Sequence, residues 1–458
     1  MIKNKIYLSA VALGLLMSTG CQSNKEENKV KDQAVQFITL APGHFHAALV
    51  QKSMYEGVDS VVHVYAPEGA ELDAHLKLID KYNTAAENPT AWQEVVYKGD
   101  DFVDKMLSEK KGNVVILAGN NQKKTEYIKQ AVDAGLNVLA DKPMAIDAKG
   151  FDVLKDAFDA ADKNKVLLYD IMTERYEINS MLQKELSQQK DLFGELEKGT
   201  LENPAIAKES VHHFFKEVSG APLIRPSWYY DVEQQAEGLV DVTTHLVDLI
   251  QWVAFPDVAL DYKKDINIIA AKRWSTPLTL TQYTQSTKKT AFPEFLNKDI
   301  KDNVLNVYSN GEMNYTLKGV HAKVSVIWNF QAPKGTGDTH FAIMRGTKAN
   351  LVIRQGKEQN FKPTLYVEPI SGDEAALKGV IAGLQAKYPG LSYKKVAKGF
   401  EILVPDAFKV GHEDHFSQVT KSYLQYLKAG KLPEWEVPNM LAKYYTTTQA
   451  LEKARNNK

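Results

Sequence analysis

Between residues 35 and 171 short apolar runs alternate with longer amphipathic ones, and no other feature of the chain restricts its fold as strongly. Positions 36–40, 61–65, 114–118, 137–140 and 166–169 read as strands. The run 114–118 contains no polar residue, which is the pattern of a strand covered on both faces. Positions 46–55, 123–134 and 151–161 carry helical periodicity, and Gly135 supplies a helix stop. Strands that alternate with helices form a parallel sheet with helices on both faces, whose ligands sit at the carboxyl ends of the strands.

The remaining length sets the domain count. With 458 residues, 44% hydrophobic and 25% charged, the chain can build two cores. A net charge of -1 without any basic block gives no electrostatic footprint for nucleic acid, so no such partner is expected. Lys3 and Lys5 precede an apolar run, 6–17, too short to span a bilayer but suited to an export signal. Ser18, Thr19 and Gly20 then lead to Cys21, the only cysteine of the sequence. This resembles a bacterial lipoprotein signal with Cys21 as the lipidated residue, although Ser18 stands where a larger aliphatic residue is more usual. The expectation is a signal peptide over 1–21 and a charged, pattern-poor tether over 22–34. Such a protein is lipid-anchored in the bacterial cell envelope, facing the periplasm or the cell surface.

A dinucleotide loop places Gly-x-Gly-x-x-Gly between the first strand and the first helix, so that backbone amides can approach a pyrophosphate. Here those places hold Ala41, Gly43 and His46, with His44 inside the loop. A plain strand-to-helix turn is the alternative reading. After the second strand the nearest carboxylates are Glu68 and Glu71, and 66–72 holds no Arg or Lys. A 2′-phosphate would meet acids there, so NAD is favoured over NADP.

Two further segments carry chemistry. Asp141-Lys142-Pro143 closes the strand 137–140, and Asp241 lies four residues before His245 in an apolar-periodic stretch. On a helix that spacing puts both side chains on one face. An imidazole can take the hydroxyl proton of an alcohol while hydride leaves, so His245 is the preferred base and Asp241 orients it or the substrate. Lys142 either donates to the reacting oxygen or, if desolvated, serves as base.

The run 114–120, the run 135–143 with Asp141-Lys142-Pro143, Arg225-Pro226-x-Trp228, and 238–249 with Asp241 and His245 resemble the Gfo/Idh/MocA oxidoreductases, the glucose-fructose oxidoreductase and inositol dehydrogenase group. Members commonly carry Glu-Lys-Pro where this chain has Asp-Lys-Pro. The resemblance implies an α/β protein with an N-terminal Rossmann domain, 35–172, and a C-terminal α/β domain, 173–458, built on a large open, mainly antiparallel sheet that often mediates oligomer contacts. Positions 205–216, 266–272, 305–309, 324–330 and 349–354 suit its strands, 393–404 a hairpin, and 413–428 and 440–455 late helices, while 275–303 reads as an insertion.

The expected cofactor contacts are Ala41, Gly43, His44, His46, Glu68, Asn120, Asp141 and Lys142. Arg175, Tyr176, Lys216, Arg225 and Trp228 join Asp241 and His245 as expected substrate contacts, with packing an equal role for Trp228. A metal site is not favoured: His44 and His46 are two apart in a loop, His212 and His213 should point to opposite sheet faces, and His412 with His415, the one conceivable site, lacks the His-Glu-x-x-His spacing of a zinc helix. The expected function is NAD-dependent oxidoreduction of a sugar, glycoside or polyol with a recycled cofactor. A NAD-dependent glycoside hydrolase or lyase and a non-catalytic carbohydrate-binding lipoprotein are the alternatives.

Overall fold

Four of six short strands are buried nearly throughout because their sequences offer little to water. In the computed structural model, which describes residues 34–218, 221–371 and 374–457, the six are β1 (Phe37–Leu40), β2 (Val61–Ala66), β3 (Gln93–Lys98), β4 (Val114–Leu117), β5 (Asn137–Asp141) and β6 (Leu168–Ile171). Every neighbouring pair is parallel, in the order β3-β2-β1-β4-β5-β6. This is the doubly wound order whose crevice lies beyond the ends of β1 and β4. The expected signal peptide, 1–21, and positions 22–33 of the expected tether lie outside the described residues.

The sequence pattern passes over β3. It is an edge strand with Gln93, Glu94 and Lys98 on it and only intermediate burial, so it has no apolar run to betray it. Helices α1 (His46–Val50), α2 (Ala70–Asn83), α3 (Phe102–Glu109), α4 (Lys124–Asp133) and α5 (Ala148–Asn164) connect these strands. The Asp147 carboxylate caps α5 by accepting from the Gly150 amide at 2.6 Å. Helix α1 is five residues long and stops well before the 55 that periodicity suggests.

The chain then passes through α6 (Ile178–Ser187) and enters a ten-stranded sheet by β7 (Ile206–Phe215). Across that sheet the order is Ile266–Thr279, Val304–Leu317, Val320–Gln331, β7, Thr339–Arg345, Ala349–Arg354, Thr364–Pro369, Gly399–Leu403 and Ser392–Val396, with Ile300–Lys301 paired beside the second. Only the pairing of β7 with Val320–Gln331 is parallel. Alternation of burial along Val304–Leu317, broken at Asn310, marks one packed face. That face receives α6 and α7 (Thr243–Ala254), whose Leu182, Leu246, Val247 and Ile250 share a core with Met313, Tyr315 and Val324.

The region 275–303 is structured despite its weak sequence pattern. It holds the end of the strand Ile266–Thr279, then α8 (Leu280–Thr287), started by a Thr279–Gln282 capping box. After α9 (Glu374–Leu384), helices α10 (His412–Ala429) and α11 (Glu436–Asn456) return to the first sheet, where Phe416, Tyr423 and Met440 join its core.

Gly238, just ahead of α7, shows how tightly this turn is held. A Cβ there would come 1.9 Å from the Ser309 carbonyl oxygen of the adjoining strand. Gly238→Ala should therefore cost about 1–3 kcal/mol by overpacking, seen as a lower urea midpoint with an unchanged slope. An unchanged midpoint would show that the turn can shift freely.

Candidate active site

A cleft of about 1190 Å³ opens where the carboxyl ends of β1, β4 and β5 face β7 and α7. Lys142, Asp241 and His245 all line it, although they come from β5's exit and from the turn and first residues of α7. Helix α7 begins at Thr243, so Asp241 sits in the preceding turn and not on the helix itself. The hydroxyls of Thr243 and Thr244 donate back to the carbonyls of Gly238 and Val240 at 3.0 and 2.6 Å. These two bonds bury the threonines and leave Asp241 and His245 to face the cleft.

Lys142 Nζ donates to Asp241 Oδ1 at 2.7 Å, and Gln235 Nε2 donates to Oδ2 at 3.2 Å. Burial alone would raise the Asp241 carboxyl, but Lys142 outweighs it and holds the group below its ordinary range. His245 goes the other way. Burial, helped by the Lys142 charge, pushes its imidazole down to about 3, and Nδ1 has no hydrogen-bond partner. It is therefore a neutral imidazole with a nitrogen unclaimed by the protein.

At the end of β5, Asp141 Oδ2 lies 2.9 Å from His46 Nδ1. Burial opposes ionisation of Asp141, yet His46, Lys124 and His44 together lower it. Lys124 is buried as well, donates to the Asp141 carbonyl at 3.0 Å and is pushed down to about 8 by desolvation. The Lys142–Pro143 bond is cis.

The loop after β1 explains the altered glycine pattern. Ala41 adopts a left-handed φ of 47°, as a glycine would. A Cβ on Gly119 would meet the Ala41 carbonyl at 2.4 Å and the Gly43 nitrogen at 2.8 Å, so the loops after β1 and β4 touch backbone to backbone. His46, in the third glycine place, avoids crowding the sheet by turning its ring to Asp141. Over Gly43 lies only the end of Glu71: a Cβ on this glycine would stand 2.5 Å from Glu71 Oε2 and 3.4 Å from the Asn120 nitrogen. Two backbone segments thus meet under one flexible carboxylate. Such a cradle fits a pyrophosphate once Glu71 rotates away, and the adjoining cleft fits a nicotinamide.

Several sequence expectations need correction. Neither Glu68 nor Glu71 lines the cleft; Glu68 precedes α2, whereas Glu71, in its first turn, reaches the loop over Gly43 and accepts from Trp228 Nε1 at 2.5 Å. Trp228 therefore lies at Glu71 beside that loop and does not line the cleft. Asn120 donates to Gln234 Oε1 at 2.7 Å. Arg175 is not a substrate contact: it is buried, bidentate to Asp248 at 2.6 and 2.7 Å and bonded to Glu436 at 2.8 Å. Tyr176 donates to Ser422 at 2.7 Å, also away from the cleft. Lys216 and Arg225 do line the cleft, but Lys216 pairs with Asp338 and Arg225 donates to the Phe214 and His213 carbonyls while stacking 4.2 Å over Tyr229. His212 and His213 do not diverge. Both Nδ1 atoms lie beside the Asp338 carboxylate, at 3.0 and 3.2 Å, because the turn carrying Asp338 folds over the end of β7. Asp338, His340, Glu174 and Lys208 complete the far wall, and no local motif marked them.

Residues 44–170 match the family model "Oxidoreductase family, NAD-binding Rossmann fold", and residues 182–455 match "Putative oxidoreductase C terminal domain". The chain belongs to the Gfo/Idh/MocA oxidoreductases. A crystal structure described as a putative oxidoreductase from Parabacteroides merdae is 57% identical, with a TM-score of 0.91 over 93% of this chain and 98% of that one. Levoglucosan dehydrogenase, solved with NADH and levoglucosan, is similar at 12% identity and a TM-score of 0.58, covering 93% and 98% of the two chains. Biliverdin reductase from Synechocystis, solved with biliverdin and NADP+, is 11% identical with a TM-score of 0.56 over 92% of this chain and 100% of that one. The last two share the fold alone. No curated protein matches the chain.

Proposed function

We propose that this Gfo/Idh/MocA oxidoreductase is a NAD(H)-dependent enzyme acting on a hydroxyl or keto group of a sugar, glycoside or polyol. The observation that carries this reading is the meeting of the Lys142–Asp241 pair with a neutral His245 in one cleft beside the nucleotide loops. A bound nicotinamide would supply the hydride acceptor or donor. Gly43, His44 and Asn120 would hold the dinucleotide, and the acid Glu71 beside the loop favours NAD over a 2′-phosphate. His245 takes the hydroxyl proton, Lys142 stabilises the negative charge that develops on the same oxygen, and Asp241 fixes the Lys142 ammonium in place. Lys216, Arg225 and the Asp338 cluster shape the substrate wall.

Cys21 as lipid anchor places this chemistry in the cell envelope, where free NAD is scarce, which favours a cofactor that is retained and recycled. The large sheet would carry a homo-oligomer contact. A second reading, glycoside cleavage by transient oxidation, draws on the additional acid–base groups of the far wall, Glu174, His340 and His412. Mass spectrometry of small molecules released from the denatured full-length protein should find NAD. Release of no dinucleotide would promote the binding-protein alternative. With glycosides as substrate, a keto-sugar product supports the first reading and a cleaved glycoside the second.

The depressed His245 makes a pH prediction. Its basic form persists as pH falls until about 3, so the acid limb of kcat/KM should lie far below the 6.5 of an ordinary imidazole. Measurement on protein shown to be folded at each pH checks this, and an acid limb near the ordinary value would show that the cleft does not depress the His245 imidazole.

A further inference from the structure

The two histidines that break the glycine pattern meet a carboxylate in space. His44 and His46 lie on the loop after β1, Asp141 ends β5, and one donor atom from each falls within 4.8 Å of the others. Around a tetrahedral ion with bonds of about 2.0–2.2 Å the donors would stand about 3.3–3.6 Å apart, a spacing that imidazole rotation can reach. The two rings are edge to face with centroids 4.1 Å apart, and His46 already touches Asp141. All three residues line the cleft. We propose that His44, His46 and Asp141 form a binding site for a divalent first-row transition metal, with its open coordination positions directed into the cleft.

The donor set supports the assignment. Two imidazole nitrogens and one carboxylate with open positions is the pattern of zinc and non-haem iron sites that also take a water or substrate oxygen. The Lys142 ammonium is engaged by Asp241, and Lys124 bonds the Asp141 carbonyl, so neither occupies the carboxylate oxygens. The site also gives a reason for the chain to have exchanged its third loop glycine for His46. His412, whose ring lies 5.9 Å from that of His46, is a neighbour and not a required ligand.

The test needs neither dinucleotide nor substrate, so it succeeds or fails apart from the proposed function. Full-length protein stripped by a chelator is titrated with ZnCl2 by calorimetry and with CoCl2 by visible absorbance. One saturable equivalent is expected, with cobalt bands of an N/O site. His44→Ala and Asp141→Asn should each weaken it by more than the roughly 10–100-fold that loss of an outer-shell partner costs. His412→Ala should leave it within that range. Circular dichroism of each metal-free variant verifies folding; His44, only partly buried, is the variant expected to fold in any case. Absence of a saturable equivalent in the unaltered protein, or undiminished affinity in folded His44→Ala, would overturn the site.

Discussion

Replacing Lys443 by methionine should destabilise the protein by about 3–5 kcal/mol, because it leaves buried carboxylates without their counter-charge. Lys443 is 0% exposed, and its Nζ lies 2.7 Å from Asp170 and 2.8 Å from Asp248. Asp248 keeps the bidentate Arg175, which holds its carboxyl low against the pull of burial. Asp170 keeps only the Tyr444 hydroxyl on Oδ2, while Oδ1 has no partner at all. The cost therefore falls on Asp170, and Lys443→Met combined with Asp170→Asn should recover most of it. Removing both charges of a buried pair is often close to neutral, whereas removing one is not. Urea denaturation of the two single variants and the double variant decides the matter. A double variant no more stable than Lys443→Met would mean that Lys443 acts through packing.

This network matters to the site as well as to stability. It joins β6 through Asp170, the segment after β6 through Arg175, α7 through Asp248 and α11 through Glu436 and Lys443. Asp248 is three residues beyond His245 on the same helix. The charges that lock the two sheets together thus also fix the angle at which α7 presents its imidazole to the cleft.

What the sequence made legible follows from the range of the interactions involved. β1, β4 and β5 could be read because continuous apolar burial leaves its mark residue by residue. β3 could not, since an edge strand is half wet, and the strands Thr339–Arg345 and Thr364–Pro369 were hidden by mixed patterns with intermediate burial at their ends. Lys142, Asp241 and His245 were found through their local motifs. Arg175 was misread because a charged side chain just past a strand end is what a ligand contact looks like locally. Its partners are 73 and 261 residues away, and no local pattern carries them. The same holds for Trp228 with Glu71, 157 residues apart, for Asp338 with His213, 125 apart, and for Asp141 with His46, 95 apart. Glu68 and Glu71 differ by nearly one helical turn, and only the start of α2 at Ala70 decides which of them faces the loop.

His245→Ala and Lys142→Ala should each lower kcat by about 10²–10⁴-fold, the range that a positioned proton-transfer group contributes. The two act on one oxygen, His245 by accepting its proton and Lys142 by stabilising the charge left behind. Their effects should consequently not multiply, and the double variant should be little slower than the poorer single one. His245→Ala deletes a side chain with no partner on Nδ1, so dinucleotide released from the denatured variant should match the unaltered protein. Lys142→Ala has a second consequence, since it strips the buried Asp241 of its 2.7 Å partner. The freed carboxylate should rise in pKa, having lost the charge that offset its burial, and activity lost in Lys142→Ala should stay lost in Lys142→Ala with Asp241→Asn. Recovery in that pair would show that Lys142 serves only to neutralise Asp241. Full activity in either single variant, with the protein folded, would take that residue out of the reaction.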